Sequence, residues 1–192
     1  AKALECTYSL QHYDDFNDRI KSIAEKNPSN IRVAAMSAFA AHQLEQTDSY
    51  PFCKNPNELI TFSNIKNHVP NYSEFINTLL VEMNQRSTAW EPKNNATVSG
   101  FHTSGNLFSK PNEMLKILES VIEKELELFF EKFKSLDNGL IQNWPKQTNI
   151  KAWYVRMLKN GHQRGHIHPS ACISGVFYLK TVESPQEQEG AI

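Results

Sequence analysis

The chain has 192 residues, with 20 basic and 21 acidic side chains and a formal charge of −1, a length that suits one domain with at most a small appendage. At 40% hydrophobic and 21% charged residues it has the composition of an ordinary folded domain, which excludes wholesale disorder, collagen-like repetition and a disulfide scaffold, and its balanced charge carries no sign of a nucleic-acid binder. No apolar run approaches the roughly 18 residues of a membrane span and no basic-then-apolar leader opens the chain; the scattered Cys6, Cys53 and Cys172 suit free thiols in a reducing compartment, so a cytoplasmic protein is the default expectation.

All seven glycines lie at or after Gly100. Glycine serves turns and bulges, so helices are expected first and a turn-rich β region later. From Tyr13 the apolar positions Tyr13, Phe16, Ile20, Ile23 and Ala24 keep helical spacing, and Asn27-Pro28-Ser29-Asn30 stops that helix and caps the next. Ala34, Ala35, Ala38 and Ala41 then admit a close neighbour, so residues 10–45 read as two packed antiparallel helices. The Asn-Pro-x-Asn junction resembles the boundary between two tetratricopeptide repeats. A plain helical hairpin explains the same residues, because one junction falls short of the about three repeats a solenoid needs.

Residues 46–70, with Pro51, Pro56 and Pro70, read as irregular, with a short strand between Ile60 and Val69. Phe75, Ile76, Leu79, Leu80 and Met83 predict a helix over 72–85, and residues 90–105 read as loop and edge strand. Ser109 and Pro111 open the strongest helix, whose stripe of Leu115, Leu118, Ile122, Leu126, Phe129 and Phe133 is expected to pack against a sheet; Asp137-Asn138-Gly139 ends it. Short β-like runs follow at 152–158 and 172–182.

Between those runs stand three of the seven histidines, His162, His166 and His168. In an extended chain residues two apart point to one side, so His166 and His168 can aim their imidazoles at one point from positions roughly 7 Å apart, an arrangement that suits a divalent metal. Gly161 and Gly165 allow turns around them, and Pro169 ends the pairing. His162 reads as a loop residue, His102 as a surface histidine and Cys172 as a buried small hydrophobe. Asp14, Asp15, Glu119, Glu123, Glu125 and Glu127 read as solvated helix faces, and residues 100–105 lack the pattern of a phosphate-binding loop.

The run from Trp153 to Leu179 contains a strand, an Asn160-Gly161 turn, His166-Ile167-His168-Pro169 and then Ser174-Gly175-Val176-Phe177-Tyr178-Leu179. It resembles a family of 2-oxoglutarate- and Fe(II)-dependent dioxygenases, and the similarity extends upstream to Trp90-Glu91-Pro92 and residues 100–108. The resemblance implies an α+β fold: a double-stranded β-helix, the cupin-like jelly roll, braced by helices and preceded by a helical hairpin. It divides the chain into a helical, tetratricopeptide-repeat-like segment with connector at 1–66 and the first part of an oxygenase domain at 67–192. Fe(II) and 2-oxoglutarate are the implied cofactors. His166 matches the first metal ligand, His168 takes a position that related families fill with aspartate, and Tyr178, on one strand face with Ser174 and Val176, matches a position that binds the 2-oxoglutarate carboxylate. The implied reaction uses dioxygen to couple oxidative decarboxylation of 2-oxoglutarate, to succinate and carbon dioxide, with hydroxylation of a small-molecule or protein substrate. No nucleic-acid or membrane partner is expected, and the N-terminal helices are expected to offer a protein-binding surface.

The family pattern continues with a distal histidine ligand and an arginine that pairs with 2-oxoglutarate, whereas no histidine follows His168 and no arginine follows Arg164. With the start at Ala1 and the apolar ending Gly190-Ala191-Ile192, this leads us to expect a piece of a longer enzyme. Two rivals fit parts of the sequence. A cupin-type metal protein shares the His-x-His pair but needs a nearby glutamate that residues 169–173 do not offer. A noncatalytic helical interaction module accounts for residues 10–45 and for the missing distal ligand.

Overall fold

The computed structural model describes residues 2–50, 52–53, 55–168 and 170–182. Pro169 and the Gly190-Ala191-Ile192 ending, both used in the sequence argument, lie outside the described residues. The chain opens with α1 (Lys2–Ser9), which the apolar spacing did not predict because Leu4 is its one buried residue. The two expected helices follow as α2 (Tyr13–Lys26), burying Phe16 and Ile20, and α3 (Ile31–Gln43), burying Val33, Ala34, Ser37 and Ala40. Asn30 caps α3 as expected, its side chain accepting the Val33 N–H at 3.3 Å.

A tyrosine secures this hairpin from outside it. The buried Tyr50 hydroxyl accepts the Asn30 N–H at 2.7 Å and donates to the Asn27 carbonyl, so one side chain satisfies both ends of the α2–α3 turn. Asp48 braces the same loop, accepting from the Tyr50 N–H at 2.8 Å and from the Ser37 hydroxyl. The short strand expected between Ile60 and Val69 is absent; the 3₁₀ turn Ile65–Asn67 stands there, preceded by another at Pro56–Leu59.

Helix α4 (Tyr72–Gln85) buries Phe75, Leu79 and Met83. The predicted long helix is α5 (Glu113–Phe133), starting just after Pro111, with the Asn112 side chain accepting the Leu115 N–H at 3.0 Å. Its stripe serves two cores. Leu115, Leu118 and Val121 pack with Phe75, Leu79, Met83, Leu107 and Phe108, while Phe129 and Phe133 join Phe16, Ile20, Val33 and Tyr50. Instead of lying only on a sheet, α5 runs along α4 and the 3₁₀ turn Leu107–Ser109, and its N-terminal core includes Ile150, Ala152 and Tyr154, which lead into the last strand. A short α6 (Gly139–Gln142), capped by Asn138, follows the Asp137-Asn138-Gly139 stop. No helix among the described residues is long and apolar enough to cross a membrane.

The fold is mixed helix and strand, with a three-stranded antiparallel sheet in the order β1 (Thr88–Trp90), β2 (Thr97–Thr103), β3 (Val155–Gln163). Residues 90–105 thus supply the central strand β2 rather than an edge. Trp90, Phe101 and Arg156 stand in register across the three strands; the two rings meet edge to face at 5.1 Å, and the guanidinium lies 4.7 Å over the Phe101 ring.

Strand β3 continues through the Asn160-Gly161 pair that the sequence offered as a turn. Pairing is regular from His102↔Val155 to Gly100↔Met157 and resumes at Val98↔His162, so Ser99 alone faces Leu158, Lys159, Asn160 and Gly161. The extra residues make a wide bulge, with positive φ at Ser99 (48°) and Asn160 (62°). His162, expected in a loop, is therefore a strand residue.

Residues 172–182 do not form the expected strand. Their alternation is nevertheless real in burial: Ile173 packs on one core and Phe177 and Leu179 on the other, while Ser174, Val176 and Tyr178 are exposed. A strand requires a hydrogen-bonded neighbour as well as a two-residue period, and none pairs with this segment among the described residues. Cys172, expected inside it as a buried thiol, is exposed.

Candidate metal centre

The segment that carries the histidines is positioned by the end of the β2–β3 ladder. Beyond Thr97↔Gln163 the Arg164 N–H donates to the Ala96 carbonyl at 2.9 Å, which extends the pairing by one residue before the chain turns away at Gly165. A β-carbon on Gly165 would meet nothing within 4 Å. His166 and His168 follow, with their ring centroids 4.8 Å apart and ring planes at 83°.

The His166 ring is oriented by the chain. Its Nδ1 lies 2.8 Å from the Arg164 carbonyl oxygen, which can only accept, so the hydrogen sits on Nδ1 and the Nε2 lone pair is free. A ring N–H held by a backbone carbonyl is the usual outer support of a metal-binding histidine. His168 is half-buried. Burial, and secondarily the charge of His166, hold its imidazole below the usual histidine value and so favour the neutral form that a metal requires.

Trp153 meets one member of this pair, a neighbour that the linear sequence does not reveal. Its indole lies 5.3 Å from the His168 ring and also stacks on the His102 ring at 6.0 Å and 15°. His102, expected as an ordinary surface residue, thus belongs to the aromatic cluster around Trp153. The signal was available only through register: His102 stands opposite Val155, two residues beyond Trp153.

Beside His166 an open groove of about 460 Å³ is lined by Asn94, Asn95, Ala96, Arg164 and Gly165. Tyr178 is half exposed, and among the described residues no hydrogen bond or ring contact ties it to either histidine. His162 lies on β3, exposed, with Nδ1 3.4 Å from the Asn160 carbonyl. Glu125, expected to be solvated, instead meets His68 at 2.7 Å across the α5 surface.

Two neighbouring imidazoles, one with its free nitrogen fixed, suit two positions of an Fe(II) site; the third is ordinarily a carboxylate, with open positions left for reactants. Among the described residues no group of three histidine, cysteine or carboxylate side chains could hold a metal ion. The two imidazoles thus offer two of the three donors such a site ordinarily has, and a third does not stand with them among the described residues.

Residues 151–191 match a family model described as "Putative 2OG-Fe(II) oxygenase". The match takes in the end of the Trp153 wall, all of β3, the histidine pair and Tyr178. It supports a general kind of function, an Fe(II)- and 2-oxoglutarate-using oxygenase, from a short stretch of the chain. No curated protein and no solved structure matches the chain.

Proposed function

We propose that this chain supplies part of the metal site of a 2-oxoglutarate- and Fe(II)-dependent oxygenase, with His166 and His168 as two of the iron ligands. The observation that carries the reading is the pair of adjoining imidazoles, one turned by the Arg164 carbonyl so that Nε2 is free, inside the stretch that matches the oxygenase family. Fe(II) bound there with 2-oxoglutarate would supply oxidation by dioxygen, one oxygen atom entering succinate as the keto acid loses carbon dioxide and the other entering the substrate as a hydroxyl group.

The chain's own contributions follow from its geometry. The β2–β3 ladder fixes the approach of the histidine segment, the Arg164 carbonyl sets the His166 tautomer, and Trp153 walls one side of His168. The groove of Asn94, Asn95 and Arg164 beside His166 is open to a polar substrate. In this reading Tyr178 approaches the 2-oxoglutarate carboxylate, residues 67–192 belong to a jelly roll, and residues 1–66 are a repeat-like helical segment suited to a protein partner. On the same reading the third metal ligand does not stand with the histidine pair among the described residues.

The test is succinate release from 2-oxoglutarate by the full-length protein, with and without Fe(II). Iron-dependent release that disappears in His166→Ala is the expected result. Release undiminished by that substitution would move the ligand assignment elsewhere. No release with iron and keto acid present would remove the oxygenase reading in favour of a noncatalytic interaction module.

A further inference from the structure

We infer that Trp153 is a positioning residue for the metal centre, an indole wall on a hydrogen-bonded backbone that holds the His168 imidazole in place. The inference rests on the assignment of His166 and His168 as metal ligands. It starts from how firmly Trp153 is anchored. On one side of it, the Ala152 N–H donates to the Asn106 side chain and the Ala152 carbonyl accepts the Leu107 N–H, both at 2.9 Å. On the other, the Tyr154 N–H donates to the Thr103 hydroxyl at 2.9 Å and the Tyr154 carbonyl accepts the Thr103 N–H at 3.0 Å. Four hydrogen bonds thus fix the backbone immediately before and after position 153. Ala152 and Tyr154 also pack into the core of α4 and α5, so an extended chain sends the Trp153 side chain the other way, where it is 40% exposed.

The His168 carbonyl accepts the Ala171 N–H at 3.0 Å, but among the described residues its ring makes no hydrogen bond. His168 follows Gly165 in a segment outside the sheet, and its ring is met by two aromatic neighbours, His166 at 4.8 Å and Trp153 at 5.3 Å. Of these, His166 is held by one hydrogen bond to the Arg164 carbonyl, whereas Trp153 stands on a backbone fixed by four. The indole also stacks on the nearly parallel ring of His102, on the central strand β2, a second aromatic contact that favours its orientation. A metal ligand on a pliant segment binds well only if its rotamer is restrained beforehand, because otherwise ordering the ring offsets part of the binding. The Trp153 face supplies that restraint without competing for the metal, since its indole N–H is a donor only.

Co(II), which takes imidazole ligands like Fe(II) without its air oxidation, is the probe. Titrated into the 192-residue protein by calorimetry, it should bind with an affinity that depends on His166. Trp153→Ala should weaken that affinity about ten-fold, the scale of losing an outer support of a ligand, while Trp153→Phe, which keeps an aromatic face, should restore it to within about three-fold of the parent. A second readout needs no loss of the side chain. With 5-fluorotryptophan in place of the three tryptophans, the resonance that Trp153→Phe removes should be the one most broadened by Co(II), ahead of Trp90 and Trp144. His166-dependent binding that is unchanged in a folded Trp153→Ala protein, or broadening that spares Trp153, would overturn the positioning role and leave the ligand assignment standing. Absence of His166-dependent Co(II) binding in the parent protein would overturn the ligand assignment itself, and the inference with it.

Discussion

Gly161 lies so close to Ser99 that a β-carbon on it would stand 2.6 Å from the Ser99 carbonyl oxygen, and 2.9 Å from that of Leu158. This contact explains why glycine occupies the middle of β3. The sequence suggests that Gly161 permits a turn, but the positive φ falls on Asn160, and Gly161 serves instead to let the bulged strand press against β2. The bulge in turn sets how the chain leaves the sheet toward His166.

Gly161→Ala should therefore be destabilising. The obstructing atoms are backbone oxygens that cannot rotate away, so the strand must shift, at a cost of about 1–3 kcal/mol. Gly165→Ala is the control, because nothing lies within 4 Å of a β-carbon there, and it should stay within about 0.5 kcal/mol of the parent. Urea denaturation of the two variants measures both. Equal stabilities would mean that the bulge does not depend on the close approach.

What the sequence made legible follows from which interactions are local. The α5 stripe could be read because helical periodicity depends only on the chain's own spacing, and the turn and cap at Asn27–Asn30 could be read for the same reason. Helix α1 could not, since one buried leucine gives no period. The alternation of Ile173, Phe177 and Leu179 was visible, but whether such a segment becomes a strand is decided by a distant partner. The site divides in the same way. His166 and His168 are neighbours in sequence and their meeting was foreseeable, whereas the Trp153–His102 wall depends on the β2–β3 register.

Tyr50→Phe should cost about 1–3 kcal/mol by leaving the Asn30 N–H and the Asn27 carbonyl without their partner. The hydroxyl also has a pH signature. Burial raises its ionisation above the usual tyrosine value, with the Asn30 N–H opposing. The unfolded chain ionises near 10.0, so this contribution is intact below that pH and lost as pH rises through the higher folded value. Stability measured from neutral to alkaline pH should fall more steeply for the parent than for Tyr50→Phe. Parallel curves would mean that the phenol is not shielded.

The three cysteines should react at two rates. Cys6 and Cys172 are exposed, while Cys53 is partly buried beside the Asn138 amide, 4.0 Å from its sulfur. Burial pushes the Cys53 thiol up, with the amide opposing, so less thiolate is present at mildly alkaline pH. A disulfide reagent at pH 8 should consume two thiols in a fast phase and the third about ten-fold more slowly, and Cys53→Ser should delete the slow phase. Three equally fast thiols in the folded protein would contradict the packing of Cys53 against α6.

The three clustered histidines should separate into a pair and a bystander. Spacing along the chain places all of them within one short segment, but the fold does not treat them alike. His162 is still within β3, opposite Val98, and the chain passes Gln163, Arg164 and the Gly165 turn before reaching the other two. His166 and His168 lie beyond that turn with their rings in contact. A two-imidazole chelate loses its second donor when either ring is removed, which should lower Co(II) affinity at least about ten-fold for His166→Ala and for His168→Ala alike. His162→Ala should leave affinity within about two-fold, since its ring takes no part in the pair. Calorimetric titration of the three variants tests this directly. A loss in His162→Ala as large as that in His168→Ala would show that the bulge delivers His162 to the metal as a further ligand.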